Sequence, residues 1–364
     1  MHATFKAVRF EPQGDRDFGV AVRKRVAEYF KDKGVLRTGD YRVWIKVIIM
    51  PLLYLIPFAI ILSGVFSHML PVFYALWIIM GIGIGGCGLG IMHDANHGAL
   101  SQNKKVNHIV GLVLDLAGGF AFNWKIQHNV LHHSFTNVDG YDEDIDPGGA
   151  MRFSPHQPLR PAYRYQVFYA WFLYGLMTFS WVIFKDFKQL VRYNKRGLIK
   201  PQGTTFGKEL TKLIIQKTLY YSYILVLPIV ILDVPWWHIV LAWFLMHFTA
   251  GLILGLVFQP AHVVPTSEFP LPDKNNIVAG DHAKYQMLTT ANFAPTNRIL
   301  SWYIGGLNYQ IEHHLFPTMC HVHHREVSKI VKATALEFGL PYNSAPTFFG
   351  AIADHWRMLY KLSK

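Results

Sequence analysis

Gln127-His128-Asn129-Val130-Leu131-His132-His133 places three imidazoles within six residues, directly after an apolar segment. On a helix His128 and His132 are i and i+4 and leave from one face, with His133 about 100° further round. That arrangement suits two neighbouring metal ions. Two other stretches repeat the theme. His93-Asp94-Ala95-Asn96-His97 is a second i, i+4 pair, and Gln310-Ile311-Glu312-His313-His314 is an adjacent pair preceded by glutamine. Each short cluster alone is compatible with a solvated helix face. Together, in a chain whose other segments are membrane-like, they imply one shared metal site, because neutral imidazole is the commonest protein metal ligand.

Of the 364 residues 51% are hydrophobic, and mean hydropathy is +0.19. Those values point to a polytopic membrane protein rather than two soluble domains. Aromatic content of 15% fits belts of Trp and Tyr at the membrane surfaces. A net charge of +12 raises nucleic acid as a partner. The basic residues, however, flank apolar runs, where membrane orientation and anionic headgroups account for them, and no nucleic-acid recognition module is present. Cys87 and Cys320 lie far apart and support neither a disulfide framework nor a cysteine zinc site. Met1 to Pro12 has no apolar core and no cleavage site, so the first spanning helix is expected to direct insertion.

Residues 1–42 read as a basic cytoplasmic arm with a helix from about Phe18 to Phe30, facing solvent, headgroups or a redox partner. Apolar runs at 43–66 and 71–92 are each long enough for a hydrocarbon layer of about 30 Å, which takes about 20 helical residues. They form a first hairpin, 43–92, in which Pro51 and Pro57 are expected to kink the chain and the glycines from Gly81 to Gly90 to allow close packing. The apolar stretch 109–122 is too short to span and is interrupted by Asp115, so it reads as an interfacial or buried helix leading into the central histidines. An acidic loop follows at 137–147, whose nearest carboxylates, Asp139 and Asp142, are expected to orient imidazoles.

Three more apolar stretches follow, at 166–184, 213–232 and 236–258. If the histidine clusters share a site, an even number of these must cross. The basic linker 185–212 is cytoplasmic by the positive-inside tendency, whereas 233–235 is a tight link. The 166–184 segment is therefore expected to lie along the membrane and the last two to form a second hairpin, 213–258. The expected fold is an all-α polytopic membrane protein with four transmembrane helices in two hairpins, capped by a cytoplasmic helical domain. Region 93–212 carries the first two clusters with interfacial helices, and the cap 259–364 carries the third. His262, just beyond the fourth span on the same face, joins His93, His97, His128, His132, His133, His313 and His314 as an eighth candidate ligand. His68 and His238 fall on the outer side, and His247 is buried mid-span.

Seven or eight histidines with few clustered carboxylates exceed what one tetrahedral zinc needs, so a two-metal centre is the natural count. Imidazole suits iron, copper and zinc alike. The ligands emerge where apolar helices leave the bilayer, so a long apolar substrate can enter from lipid toward a metal able to activate dioxygen. The three clusters, the last within Asn308-Tyr309-Gln310-Ile311-Glu312-His313-His314-Leu315-Phe316-Pro317, closely resemble the three histidine boxes of membrane fatty acid desaturases. The resemblance covers roughly residues 40–330, in order, spacing and four-span topology. The glutamine opening the third box resembles the front-end subgroup, which acts between an existing double bond and the carboxyl end, and bacterial linoleoyl-CoA-desaturase-like relatives.

The resemblance implies a non-haem diiron centre that uses dioxygen and two electrons to remove two hydrogens from a long acyl chain, leaving a cis double bond. It implies that His93, His97, His128, His132, His133, His313 and His314 are catalytic ligands of the two iron ions. His262 would be an additional ligand and Gln310 a weak one, with Asp94, Asn96, Asp139 and Asp142 supporting them. The chain departs from many front-end members in having no His-Pro-Gly-Gly haem motif of a fused cytochrome b5; Asp146-Pro147-Gly148-Gly149 lacks the histidine. A separate ferredoxin or cytochrome b5 is therefore the expected electron donor. The other expected partners are an acyl-CoA or acyl-lipid, dioxygen and the membrane, with the active site on the cytoplasmic side of a bacterial inner membrane. Cys320-His321-Val322-His323-His324 reads as a surface or supporting cluster. A related hydroxylase or ketolase would use the same boxes. A metal transporter would need ligands in mid-span, where only His247 stands.

Overall fold

A computed structural model describes residues 8–11 and 16–364; the other residues of the N-terminal arm lie outside the described residues. Five helices there are long and apolar enough to cross a membrane: Tyr41–Leu62, Leu70–Asn96, Pro161–Lys195, Phe206–Ile231 and Trp236–His262. The four expected spans are among them. The fifth contains the 166–184 stretch and outgrows it, because a π-helical turn at Trp181–Lys185 leads without a break into the basic helix Asp186–Lys195. The stretch 109–122, expected as one short helix ahead of the central histidines, is broken instead: Lys104–Leu116 and Ala121–Phe135 form a pair bent by 111°, with Gly118 at φ 89° in the turn between them.

Local chemistry explains these boundaries. The side chain of Asp40 accepts from the backbone N–H of Arg42 and caps the first apolar helix, satisfying a donor that the helix itself leaves unpaired. Pro51 and Pro57 lie inside that helix, which continues through both. The glycines of Leu70–Asn96 allow close contact on two sides, as small residues do in membrane helices. A Cβ on Gly83 would stand 2.9 Å from the backbone of Leu53 and Tyr54, and one on Gly81 would overlap the carbonyl of Met246. Across the last helix, a Cβ on Gly251 would stand 2.6 Å from the carbonyl oxygens of Tyr174 and Gly175, which brings Pro161–Lys195 against it.

Where these helices meet, Trp77, Met80, Ile239, Ala242 and Met246 are buried together, while Ile48, Leu55, Ile56, Leu219 and Val230 face outward. The cap has its own core. Phe18, Val22, Val26 and Phe30, four residues apart on one face of the arm helix Arg16–Lys33, pack on Val327, Val331 and Ala335 of His324–Glu337. The arm is thus docked on the cap rather than solvated all round. Extended structure among the described residues is confined to two short parallel pairs, Arg9–Glu11 with Ile277–Ala279 and Asn292–Phe293 with Ser344–Ala345. The fold is all-helical, as the sequence led us to expect.

Gly251→Val would set methyl groups against two carbonyl oxygens that cannot swing aside. The expected loss is about 1–3 kcal/mol, seen as a lower unfolding midpoint of the detergent-solubilised protein; an unchanged midpoint would contradict the close contact.

Candidate metal centre

The segment Lys125–His132 is π-helical, and the N–H of His133 bonds to the carbonyl of His128, five residues back. In an α-helix His133 would point about 140° away from His128. The wider i→i+5 turn brings it back over its starting residue, so His128, His132 and His133 share one face. This corrects the α-helical spacing read from the sequence. A second π-turn, Gly88–Met92, leads into His93. His313 and His314 lie on the short helix Gln310–Leu315, and His262 ends the last apolar helix.

The rings form two adjoining pockets. Ligand nitrogens of His93, His97, His128 and His313 lie within 4.8 Å of one another, and those of His132, His262 and His314 do likewise. His133 stands between the groups, its ring centroid 4.7 Å from that of His97, 4.6 Å from His313 and 4.3 Å from His314. All eight predicted histidines therefore meet in one place.

Without a cation this cluster is frustrated. Nε2 of His128 lies 3.1 Å from Nε2 of His93 and 3.2 Å from Nε2 of His133. The buried Nε2 atoms of His97, His132, His313 and His314 and both ring nitrogens of His262 have no hydrogen-bond partner among the described residues, and each unmet group costs about 1–3 kcal/mol. The opposite nitrogens are held instead. His132 Nδ1 donates to Asp142 at 3.0 Å, His128 Nδ1 to Asp144 at 3.1 Å, and His314 Nδ1 to Gln286 Oε1 at 2.9 Å. A ring bonded through Nδ1–H turns its Nε2 lone pair inward, the usual support of a metal-bound histidine. The donor set fits metal ions.

Burial, followed by repulsion from neighbouring imidazoles, holds His128, His133, His313 and His314 well below the ordinary histidine pKa, so their lone pairs remain available. Burial acts the same way on His132, but the Asp142 and Asp144 carboxylates outweigh it and raise that pKa. In the third box, burial pushes Glu312 up to about 7. Glu312 faces Asn292 and Tyr342, which donate to it at 2.8 and 2.9 Å and fix the short helix.

The predicted supporting residues divide. Asp142 orients His132 and itself accepts from the backbone N–H groups of Asn137 and Asp144, both at 2.9 Å. Asp139 makes no hydrogen bond or ion pair with the histidines; the turn through Gly140, with φ of 77°, carries the chain onward, and Asp144 takes the place beside His128. Asp94 lies behind the first box, accepting from Cys320 Sγ at 2.9 Å and pairing with His321 Nδ1 at 2.7 Å, with His93 also acting on its carboxylate. The Cys320–His324 stretch is thus packed behind the first box, with His321 and His324 buried. Asn96 turns toward Gly111, and its carbonyl accepts from Asn129 at 2.9 Å, joining the first box to the second. Gln310 is buried in the wall beside His93 and His128. Three residues escaped the sequence reading as supports: Asp144, further fixed by Gln127; Gln286; and Asn137, whose side chain donates to the His262 carbonyl at 3.0 Å.

His93, His128 and Gln310 border a cavity of about 640 Å³, within the range of small-molecule sites. Asp144, Asp146, Lys188 and Arg192 line one part, and Ile84, Cys87, Val182, Leu254 and His247 another.

Paired polyhistidine pockets at the ends of apolar helices, the first of them bordering a mainly apolar cavity through His93 and His128, define an integral membrane protein with a donor set fit for metal beside a lipid-like ligand. The family model for fatty acid desaturases matches residues 67–346, and the chain belongs to that family of oxidoreductases. It is 33% identical over 352 residues to the sn-1 linoleoyl-lipid 6-desaturase of Synechocystis sp., covering 96% of each chain. It is 36% identical over 289 residues to the enzyme of that name from Arthrospira platensis, covering 79% of this chain and 77% of that one. It is also 34% identical over 351 residues to the acyl-lipid (8-3)-desaturase of Physcomitrium patens, covering 96% of this chain and 72% of that one.

Asp142→Ala is expected to weaken metal retention about 10- to 100-fold, measured as metal content during chelator titration. The metal-free protein should also lose stability as pH falls below about 6.5, where unfolded histidines take up protons that the buried rings refuse. Unfolded protein then binds more protons than native, so stability rises with pH; a flat profile of unfolding midpoint against pH would contradict the neutral-ring assignment.

Proposed function

We propose that this protein is a front-end acyl-lipid desaturase that introduces a cis double bond near the carboxyl end of a long acyl chain at a non-haem diiron centre. The observation that carries the reading is that His93 and His128 of the first pocket border the cavity. Asp144 both orients His128 and lines the polar end, where Asp146, Lys188 and Arg192 are exposed. A substrate whose polar end rests there has its nearby carbons beside the histidines, with the apolar remainder of the cavity left for its tail. The named activities of the relatives support the same assignment.

His93, His97, His128 and His313 would hold one iron, and His132, His262 and His314 the other, with His133 between them. Bound there, iron would supply dioxygen activation and, with two electrons from a donor, the oxidation of the acyl chain. The protein's own part is to keep the imidazoles neutral, to orient them through Asp142, Asp144 and Gln286, and to exclude water. Trp124 stacks on His128 with centroids 4.5 Å apart, holding that ring in place. Gln310 would be a weak ligand. Arg192 pairs with Glu143 at 2.6 Å, whereas Lys185 and Lys188 form no ion pair among the described residues and would meet headgroup oxygens.

Four of the five long apolar helices would cross, as hairpins 43–92 and 213–258, with Pro161–Lys195 not traversing. Parity supports this: the first and third boxes meet at one place, so an even number of the three later helices can lie between them. The arm 1–42, region 93–212 and cap 259–364 would face the cytoplasm of a bacterial inner membrane, beside a separate ferredoxin or cytochrome b5.

The test is mass spectrometry of fatty acids from cells expressing the chain and fed saturated and polyunsaturated acids. A new double bond on the carboxyl side of an existing one is expected, and both His132→Ala and His313→Ala should abolish it while the protein still folds. Hydroxylated products would move the assignment to the hydroxylase branch. Full activity in both variants would refute the site.

A further inference from the structure

His247 lies within Trp236–His262, is fully buried and borders the cavity. Its hydrogen bonds fix its tautomer. Trp243 Nε1, which can only donate, donates to the Tyr220 hydroxyl at 2.9 Å. The hydroxyl proton of Tyr220 has no acceptor among the described residues other than His247 Nε2, 2.5 Å away, so it donates there. The ring therefore accepts at Nε2 and carries its proton on Nδ1. That Nδ1–H has no hydrogen-bond partner among the described residues.

The neighbouring walls do not supply one. Ile84, Val182 and Leu254 have apolar side chains, Cys87 offers only a weak sulfur acceptor, and Thr178 donates its own hydroxyl proton to the His247 carbonyl at 2.6 Å. A buried donor left open in an apolar wall calls for an acceptor that arrives with the ligand. A saturated hydrocarbon tail brings none. The π face of a carbon–carbon double bond does, as an acceptor of a weak N–H hydrogen bond.

The helix gives the position. His247, Leu254 and Phe258 share one face, and Phe258 packs on His128 and His132 with ring centroids 6.4 and 5.1 Å away. Eleven residues separate His247 from Phe258, or about 16 Å along the axis. The donor thus stands about three helical turns from the metal pockets, deeper in the apolar helix.

We propose that His247 is a specificity-determining residue whose Nδ1–H binds a double bond already present in the methyl-side part of the acyl chain. The protein then prefers unsaturated over saturated chains of equal length. This rests on the acyl-chain reading of the cavity and adds the feature of the tail that is recognised.

The test separates the two. Full-length, iron-loaded protein in nanodiscs is labelled by a photo-crosslinkable saturated acyl lipid, with unlabelled linoleoyl or stearoyl lipid as competitor, so that binding is read without turnover. Wild type should favour the linoleoyl lipid. His247→Phe, which keeps ring and bulk, should lower that preference about two- to five-fold, while His247→Gln, which retains an N–H donor, should keep most of it. The same preference in wild type and in folded His247→Phe overturns the role of His247, as it would if the Nδ1–H merely held a water molecule. Should the Phe variant not fold, the comparison of His247→Gln with His247→Leu decides in the same way. No competition by either lipid in wild type would instead overturn the acyl-chain reading itself.

Discussion

Imidazole lone pairs that face one another inside an apolar protein have no good partner except a cation, and much of this structure is arranged around that constraint. Eight histidines drawn from four places in the chain are held with their nitrogens converging. Left to relax, such rings would rotate toward any available donor. His132, His128 and His314 are prevented from doing so from behind, by Asp142, Asp144 and Gln286, each of which accepts a hydrogen bond from the outward Nδ1–H. These supports are themselves pinned, Asp142 by two backbone N–H groups and Gln286 by its donation to the His133 carbonyl at 2.8 Å. The site is thus preorganised, and its electrostatic strain is stored until metal relieves it.

The same logic explains a buried chain of charged groups behind the first box. Lys46, in the first apolar helix, places Nζ 2.6 Å from His321 Nε2, and His321 Nδ1 in turn faces Asp94. An ammonium or carboxylate buried alone would be very costly. Joined through one imidazole they satisfy each other, and they fasten the first helix, the first box and the cap at a single point. This arrangement adds registry more than stability, since breaking it from either end would leave an unpaired buried charge.

The spans and the histidine clusters could be read from the sequence because they are local: hydropathy accumulates along a segment, and ligand spacing is short. What could not be read depends on backbone detail or distant contacts. The pattern around His128 is equally compatible with α- and π-helical turns, yet the difference decides whether His133 faces the pockets. Asp139 and Asp144 belong to one acidic loop, and only the turn through Gly140 selects the latter. Gln286 is a single polar residue brought to the site by the cap, and Asn137, at the start of the acidic loop, gains its role only by meeting the carbonyl of His262 at the end of the last apolar helix. His247 could be recognised as buried mid-span, but its open donor depends on Tyr220 and Trp243, which come from two different helices.

Helix length then connects the metal pockets to the part of a substrate they can reach. Leu70–Asn96 and Trp236–His262 have 27 residues each, or about 40 Å, against a hydrocarbon thickness of about 30 Å. His93 sits in the last turn of one and His262 ends the other, so under the proposed topology both would lie on the overhanging ends. Ile84 and Cys87, and Leu254 with His247, lie deeper on the same two helices and line the apolar part of the cavity. A shorter overhang would sink the histidines toward the middle of that apolar arm and shift the reacting position along the chain. The depth at which two ordinary apolar helices stop is therefore a geometric constraint on which carbons come beside the metals.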